Sequence, residues 1–225
     1  MDAVRNAVAE FVATFVVVLI AAGATITGGF GLDTTGIALA YGFATAVGIV
    51  LAHHHRGQAN PAITVALWVG GRISSARTVL IVVSQTAGAL AAGLLVRYVN
   101  PGTAFAAASG GTPVVASGTA IGKAIVIEAV ATFVIVLVYL TTVADARGRR
   151  GDVGALFVGI AVAAFALVFL PYTGLAVNPA RWFGPALASG SWADPEVWLV
   201  GPFAGGIIAS VAAASLGRED EPATP

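Results

Sequence analysis

The chain has 225 residues, 58% of them hydrophobic and 10% charged, against about 25% charged in ordinary soluble domains. A mean hydropathy of +0.91 is too high for a soluble fold of this size, which could not hide so much apolar surface, so the chain reads as a membrane protein. Zero net charge without a basic tract argues against nucleic acid, and the absence of cysteine excludes disulfides, thiolate zinc sites and thiol nucleophiles.

Taken in chain order, the first apolar run covers 7–26, where MDAVRNAVAE leads into FVATFVVVLIAAGATIT. Alone, this stretch has the look of a signal peptide with a small-residue cleavage site; the internal repeat described below makes it part of the mature fold. Further runs fall at 35–53, 78–99, 121–143, 153–171 and 196–216, each of the length a tilted membrane helix needs. Glycine, proline and polar clusters punctuate the connections GGFGLDTTG, NPGTAFAAASGGTPVVASG, ADARGRRGD and SGSWADP. The polar tail over 217–225 is expected to be disordered.

Two segments, 60–69 and 178–188, are apolar but too short to span. In GQANPAITVALWVGG (57–71), Asn60 and Pro61 form a helix start and Gly70-Gly71 a stop. The roughly ten residues between them rise about 15 Å, half of a hydrocarbon core about 30 Å thick. Asn-Pro-Ala occurs again at Asn178, Pro179 and Ala180.

The chain repeats itself. AEFVATFVVVL at 9–19 returns as IEAVATFVIVL at 127–137, a shift of 118 that pairs Glu10 with Glu128 and Thr14 with Thr132. The same shift carries Asn60 onto Asn178 and Gly88 onto Gly206. Each half contains three spans, an odd number, so the second half enters from the opposite face. The expected fold is therefore an all-α membrane protein: six transmembrane helices plus two re-entrant half-helices in an inverted repeat. It forms a single transmembrane domain over 1–216, with repeats of about 5–100 and 121–216. The half-helices dip in from opposite sides and meet near the midplane.

With the N-terminus cytoplasmic, Arg5, Arg56, Arg72, Arg77, Arg147, Arg149, Arg150 and Arg218 lie inside, and only Arg97, Lys123 and Arg181 remain for the other side. This satisfies the positive-inside rule. Both termini are then cytoplasmic, in a multi-pass protein of the cell membrane.

Irregular backbone at membrane depth must be buried in protein or line a wet cavity. Asn is a favoured N-cap, its side-chain oxygen accepting a first-turn N–H, and Pro at N1 loses nothing there. The amide NH2 groups of Asn60 and Asn178 are then expected to be free donors for an oxygen of a small neutral solute. Both half-helices aim their positive ends at one point, which opposes cations, and Arg181 adds a full charge. An intramembrane cation costs at least about 2.5 kcal/mol and is a functional hypothesis by default; the bland alternative is an interloop brace.

These features resemble the aquaporins, the major intrinsic protein family, over residues 5–216: six spans, paired loops GQANPAITVAL and GLAVNPARWFGPAL, AEF…TF in the first span and IEA in the fourth. The resemblance implies a homotetramer with one pore per subunit, set in the lipid bilayer. It implies passive flux of water and small neutral solutes, with no cofactor. Aquaporin-type pores are the standing example of ion exclusion by an Arg or by half-helix dipoles. The family's constriction would here comprise Tyr41, Ala166, Leu175 and Arg181. Tyr41 follows from the ALAYG pattern, whereas a gapless count from the first NPA gives Ala40. The loop HHHRGQA stands where the family usually has His-Ile-Ser-Gly-Gly-His-Phe. A span-five His, typical of water-selective members, is replaced by Ala166, and Leu175 is also apolar, so the constriction is expected to be wide and greasy. Trp182 stands where glycerol-conducting members usually carry Asp, although Phe183-Gly184-Pro185 is shared with them. Trp198-Leu199 fits neither subgroup.

Glu10 and Glu128 are carboxylates within spans, expected to accept backbone N–H groups from the loop of their own half; a proton relay is the alternative. Among His53, His54 and His55, which also invite a metal or pH-sensing role, His53 and His54 are candidates for the inner pore lining, with no metal expected. Gln85 and the glycines of the later spans read as packing features, and the four tryptophans as interfacial belt residues. Competing classes are a secondary active transporter, which also uses inverted repeats, and an intramembrane enzyme with the histidines as ligands. The first lacks a free midplane carboxylate, and the second lacks a patterned nucleophile.

Overall fold

A computed structural model describes residues 2–52, 57–144 and 151–216. Its helices are α1 (Asp2–Thr27), α2 (Thr34–Leu51), α3 (Pro61–Val69), α4 (Ser75–Val99), α5 (Gly102–Ala107), α6 (Ile121–Thr142), α7 (Gly151–Thr173), α8 (Pro179–Ser189) and α9 (Pro195–Leu216). Six of them are long and apolar enough to cross a membrane, and they fall on the six apolar runs of the sequence. The two half-helices are α3 and α8. Starts are set by local chemistry: Asp33 accepts the N–H of Gly36 at 2.7 Å to open α2, and Ser74 accepts that of Arg77 to open α4.

The spans pack as α1 on α4, α6 on α9 and α2 on α7, the last pair joining the halves. Close approach depends on small residues, as expected where apolar lipid offers no drive for association. Gly88 of α4 lies on the carbonyl of Phe11, and Gly205 of α9 on that of Ala129; a Cβ on either would sit 2.3 or 2.2 Å from the oxygen. Phe11 and Ala129 are 118 apart, but Gly88 and Gly205 are 117 apart. Gly88 therefore has Gly205 as its structural mate, and the pairing with Gly206 is corrected. Gly206 instead faces the Ala62 carbonyl of α3. The middle spans also run at 117, for Gly42 and Gly159 each press on the other's carbonyl. Connecting loops absorb the one-residue slip, because no hydrophobic face is registered across them.

Each half-helix is held by the last span of the other half: α3 packs on α9 and α8 on α4. Ser210 of α9 donates its hydroxyl to the Ala66 carbonyl at 2.8 Å. The equivalent α4 position is Gly93, against the Gly184 carbonyl. Apolar side chains such as Val83, Leu94, Val126, Ile160, Val168 and Ile208 are left on the outside of the bundle, where lipid would cover them.

The connection over 100–120 is more than punctuation. It contains α5 and a buried turn at Gly110 and Gly111, both with left-handed φ (65° and 76°). A Cβ on Gly111 would meet the Ala22 carbonyl at 2.5 Å, so this turn is seated directly on α1. The polar tail over 217–225 lies outside the described residues, as do His53, His54 and His55.

Candidate functional site

The two NPA segments start their helices alike. Asn60 is extended (φ −155°) and its side-chain oxygen accepts the Ala62 N–H at 2.8 Å, with Pro61 at the first helical position. Asn178 (φ −147°) accepts from Ala180 at 3.0 Å and Arg181 at 3.3 Å, with Pro179 next. The amide groups are not wholly free, which corrects the expectation. Asn60 Nδ2 donates to the Val177 carbonyl at 2.9 Å, and Asn178 Nδ2 donates to the Ala59 carbonyl at 2.8 Å. Each Asn thus caps its own half-helix and ties down the other half's loop. An amide nitrogen has two hydrogens, so each keeps a second one to offer.

Residues 59 and 177, which precede the two Asn, adopt left-handed backbone, Ala59 at φ 53° and Val177 at φ 45°, and Leu175 does so at φ 40°. A β-branched residue there is an outlier and persists only when its surroundings over-determine it. The carboxylates supply that constraint. Glu10 accepts the N–H groups of Gln58 and Ala59, both at 2.9 Å. Glu128 accepts those of Ala176 at 3.0 Å and Val177 at 2.7 Å. Both carboxylates are fully buried. The third donors differ: Gln85 Nε2 to Glu10 at 2.8 Å, and the Thr173 hydroxyl to Glu128 at 2.7 Å. Gln85 is therefore more than packing, because its Nε2 also donates to the Thr64 hydroxyl of α3 at 3.0 Å. A glutamine inside an apolar span, at the same depth as a glutamate, was the available signal.

A cavity with about 10 Å³ for water centres lies beside Asn60 and Asn178, room for about one water. Val17, Ile135 and Val162 contribute apolar lining beside the two Asn residues, and Tyr41 also lines the cavity. So does Gln58, which the sequence reading passed over. It occupies the place of the second His in the loop pattern quoted above, and that correspondence was legible.

Tyr41, rather than Ala40, is the residue brought to Arg181: the guanidinium carbon lies 5.6 Å from the centroid of its ring. The Tyr41 hydroxyl donates to the Ala176 carbonyl. Arg181 is buried and donates to the Gly111 carbonyl at 2.6 Å and to the Thr25 hydroxyl at 3.3 Å. Gly111 and Thr25 were not anticipated; a lone carbonyl in a glycine-rich loop leaves no sequence signature. Ala166 and Leu175 are fully buried in the same apolar cluster as Tyr41, Val162 and Val177. Ala62 and Ala180 are buried at the half-helix starts.

The belt assignment is corrected for two tryptophans. Trp182 and Trp198 are buried, and Trp198 donates to the Ala193 carbonyl at 3.1 Å. Trp182 packs edge-on against Trp192. Trp68 and Trp192 remain partly exposed.

With reciprocal Asn caps, buried carboxylate braces and a half-helix Arg in place, comparison with known proteins becomes decisive. The profile described as Major intrinsic protein matches residues 1–212. The chain belongs to that family. It is 39% identical over 219 residues to Aquaporin TIP4-4 of Zea mays, covering 92% of this chain and 84% of that protein. It is 36% identical to Aquaporin TIP2-1 of Arabidopsis thaliana, covering 94% and 86%. Its fold is similar to the X-ray structure of the aquaglyceroporin from Plasmodium falciparum, with a TM-score of 0.80, 21% identity and coverage of 93% and 94%. This member of the major intrinsic protein family is thus an integral, multi-pass membrane protein.

Proposed function

We propose that the chain is a passive channel for water and small uncharged solutes, moving them down their gradients while excluding protons and ions. The observation that carries this is the pair of Asn side chains, tied reciprocally across the meeting point of two half-helices beside a cavity whose remaining lining is mostly apolar. Such a passage offers a water oxygen the two Asn donors, beside the side chains of Gln58, Thr45 and Tyr41. The opposed half-helix N-termini and Arg181 make the same place costly for a cation. The relatives named as aquaporins support this reading.

Tyr41, Ala166, Leu175 and Arg181 form the constriction. Of these four side chains only Arg181 and Tyr41 carry polar groups, so molecules with some apolar surface are admitted beside water. Glu10 and Glu128 serve as braces that hold the NPA loops. The protein works as a homotetramer in the cell membrane, with its termini cytoplasmic, a topology supported by the distribution of basic residues.

Stopped-flow light scattering on reconstituted vesicles tests the proposal. With an impermeant osmolyte, shrinkage much faster than in empty vesicles is expected. With glycerol or urea, reswelling is expected, and it should fall several-fold in Ala166→His while water flux persists. Shrinkage no faster than in empty vesicles would overturn the channel reading.

A further inference from the structure

We propose that Tyr41 is a latch on the passage, its hydroxyl holding a carbonyl that a permeating molecule must take over. This rests on the channel reading above and concerns how the narrowest part admits a solute. The peptide joining Ala176 to Val177 is trans, so its C=O points opposite to its N–H. That N–H is bound by Glu128 at 2.7 Å, which turns the Ala176 carbonyl away from the brace and toward α2. The next carbonyl, of Val177, is taken by the Asn60 amide at 2.9 Å beside the cavity. Of two consecutive carbonyls of one loop, that of Val177 is thus held by Asn60 and that of Ala176 by the hydroxyl of Tyr41, both donors being cavity-lining residues.

The Tyr41 ring also touches both cavity and charge. Tyr41 lines the cavity beside the two Asn residues, and the Arg181 guanidinium lies over its ring, 5.6 Å from the centroid. Tyr41, Ala176 and Arg181 are all buried. A buried carbonyl without its donor loses free energy, so the Tyr41 hydroxyl gives it up only to another donor. Water, glycerol and urea carry such donors; an ion without one cannot make the exchange. Passage then proceeds by trading the Tyr41 bond to Ala176 for a solute bond to Ala176. Reclosure of the latch releases the solute.

The test uses the full chain in liposomes. In Tyr41→Phe the ring and its place over Arg181 remain while the hydroxyl is lost. Water flux per protein is expected to rise about threefold to tenfold, the range for one modest hydrogen bond removed from a barrier, with a shallower temperature dependence. Unchanged or slower flux, in a variant with wild-type helicity and size, would overturn the latch while a conducting wild type keeps the channel. Flux in neither protein would overturn the channel reading and the latch with it. Wild-type sequence carrying fluorotyrosine, a stronger donor, needs no refolding of a variant: slower flux is expected, and an unaltered rate would also overturn the latch.

Discussion

The two halves agree where they hold backbone and differ at the proposed constriction. Glu10 and Glu128 each take two consecutive N–H groups of the loop before an NPA, and each Asn reaches across to the carbonyl before its mate. The proposed constriction has no such symmetry. Arg181 is matched by Ile63 and Leu175 by Gly57 at the 118-residue shift. Through the reciprocal contact of Gly42 and Gly159, Tyr41 is matched by Val158 and Ala166 by Ile49. Duplication supplied a frame in which the buried loop N–H groups need acceptors, and that demand is the same in both halves. With the proposed constriction at one end only, the frame stays alike in the two halves while the lining differs.

The comparison breaks most severely at the braces. Glu10→Gln and Glu128→Gln each put an amide donor where N–H groups need an acceptor. Each is expected to destabilise the protein by on the order of 3 kcal/mol, read as a lower melting temperature in detergent, with flux lost. A large loss from one variant and none from the other would end the idea of equivalent braces. Next comes the pair that is not equivalent. Arg181→Ala is expected to raise cation leak by at least about tenfold, measured with a pH- or ion-sensitive dye in vesicles, while Ile63→Ala leaves exclusion intact. Equal behaviour of the two would refute the one-ended assignment. The smallest effects sharpen the frame itself. Gly93→Ala pushes a methyl against the Gly184 carbonyl and is expected to cost about 1–3 kcal/mol. Its mate, Ser210→Ala, removes a single hydrogen bond to Ala66, worth about 1 kcal/mol. Urea-accelerated unfolding in detergent ranks the two, and neither should alter ion exclusion.

Much of this was legible because membrane folding forces it into the sequence. Spans must be long and apolar, so all six were found within a few residues of their ends. An Asn-Pro pair before a short apolar run states its own helix start, and a glutamate inside a span must have partners, which proved to be loop N–H groups. Legibility failed where partners are backbone or where register crosses a loop. Gly111 carries no chemical label, yet its carbonyl holds Arg181. Gly88 and Gly206 align by arithmetic, but contact with the neighbouring span selects Gly205. The amides of Asn60 and Asn178 looked free because nothing in a tripeptide shows which carbonyl will stand across from it.

Composition, the repeat and the paired NPA motifs by themselves determined that this protein spans a membrane six times and brings two half-helices together at its centre. Hydrophobic length and capping chemistry act over neighbouring residues, so the chain alone carries them. Only the tertiary structure decided that Tyr41 rather than Ala40 meets Arg181, that its hydroxyl holds Ala176, and that each half-helix is seated on the opposite half. Those contacts join residues about ninety or more positions apart, and their geometry exists only once the helices are packed.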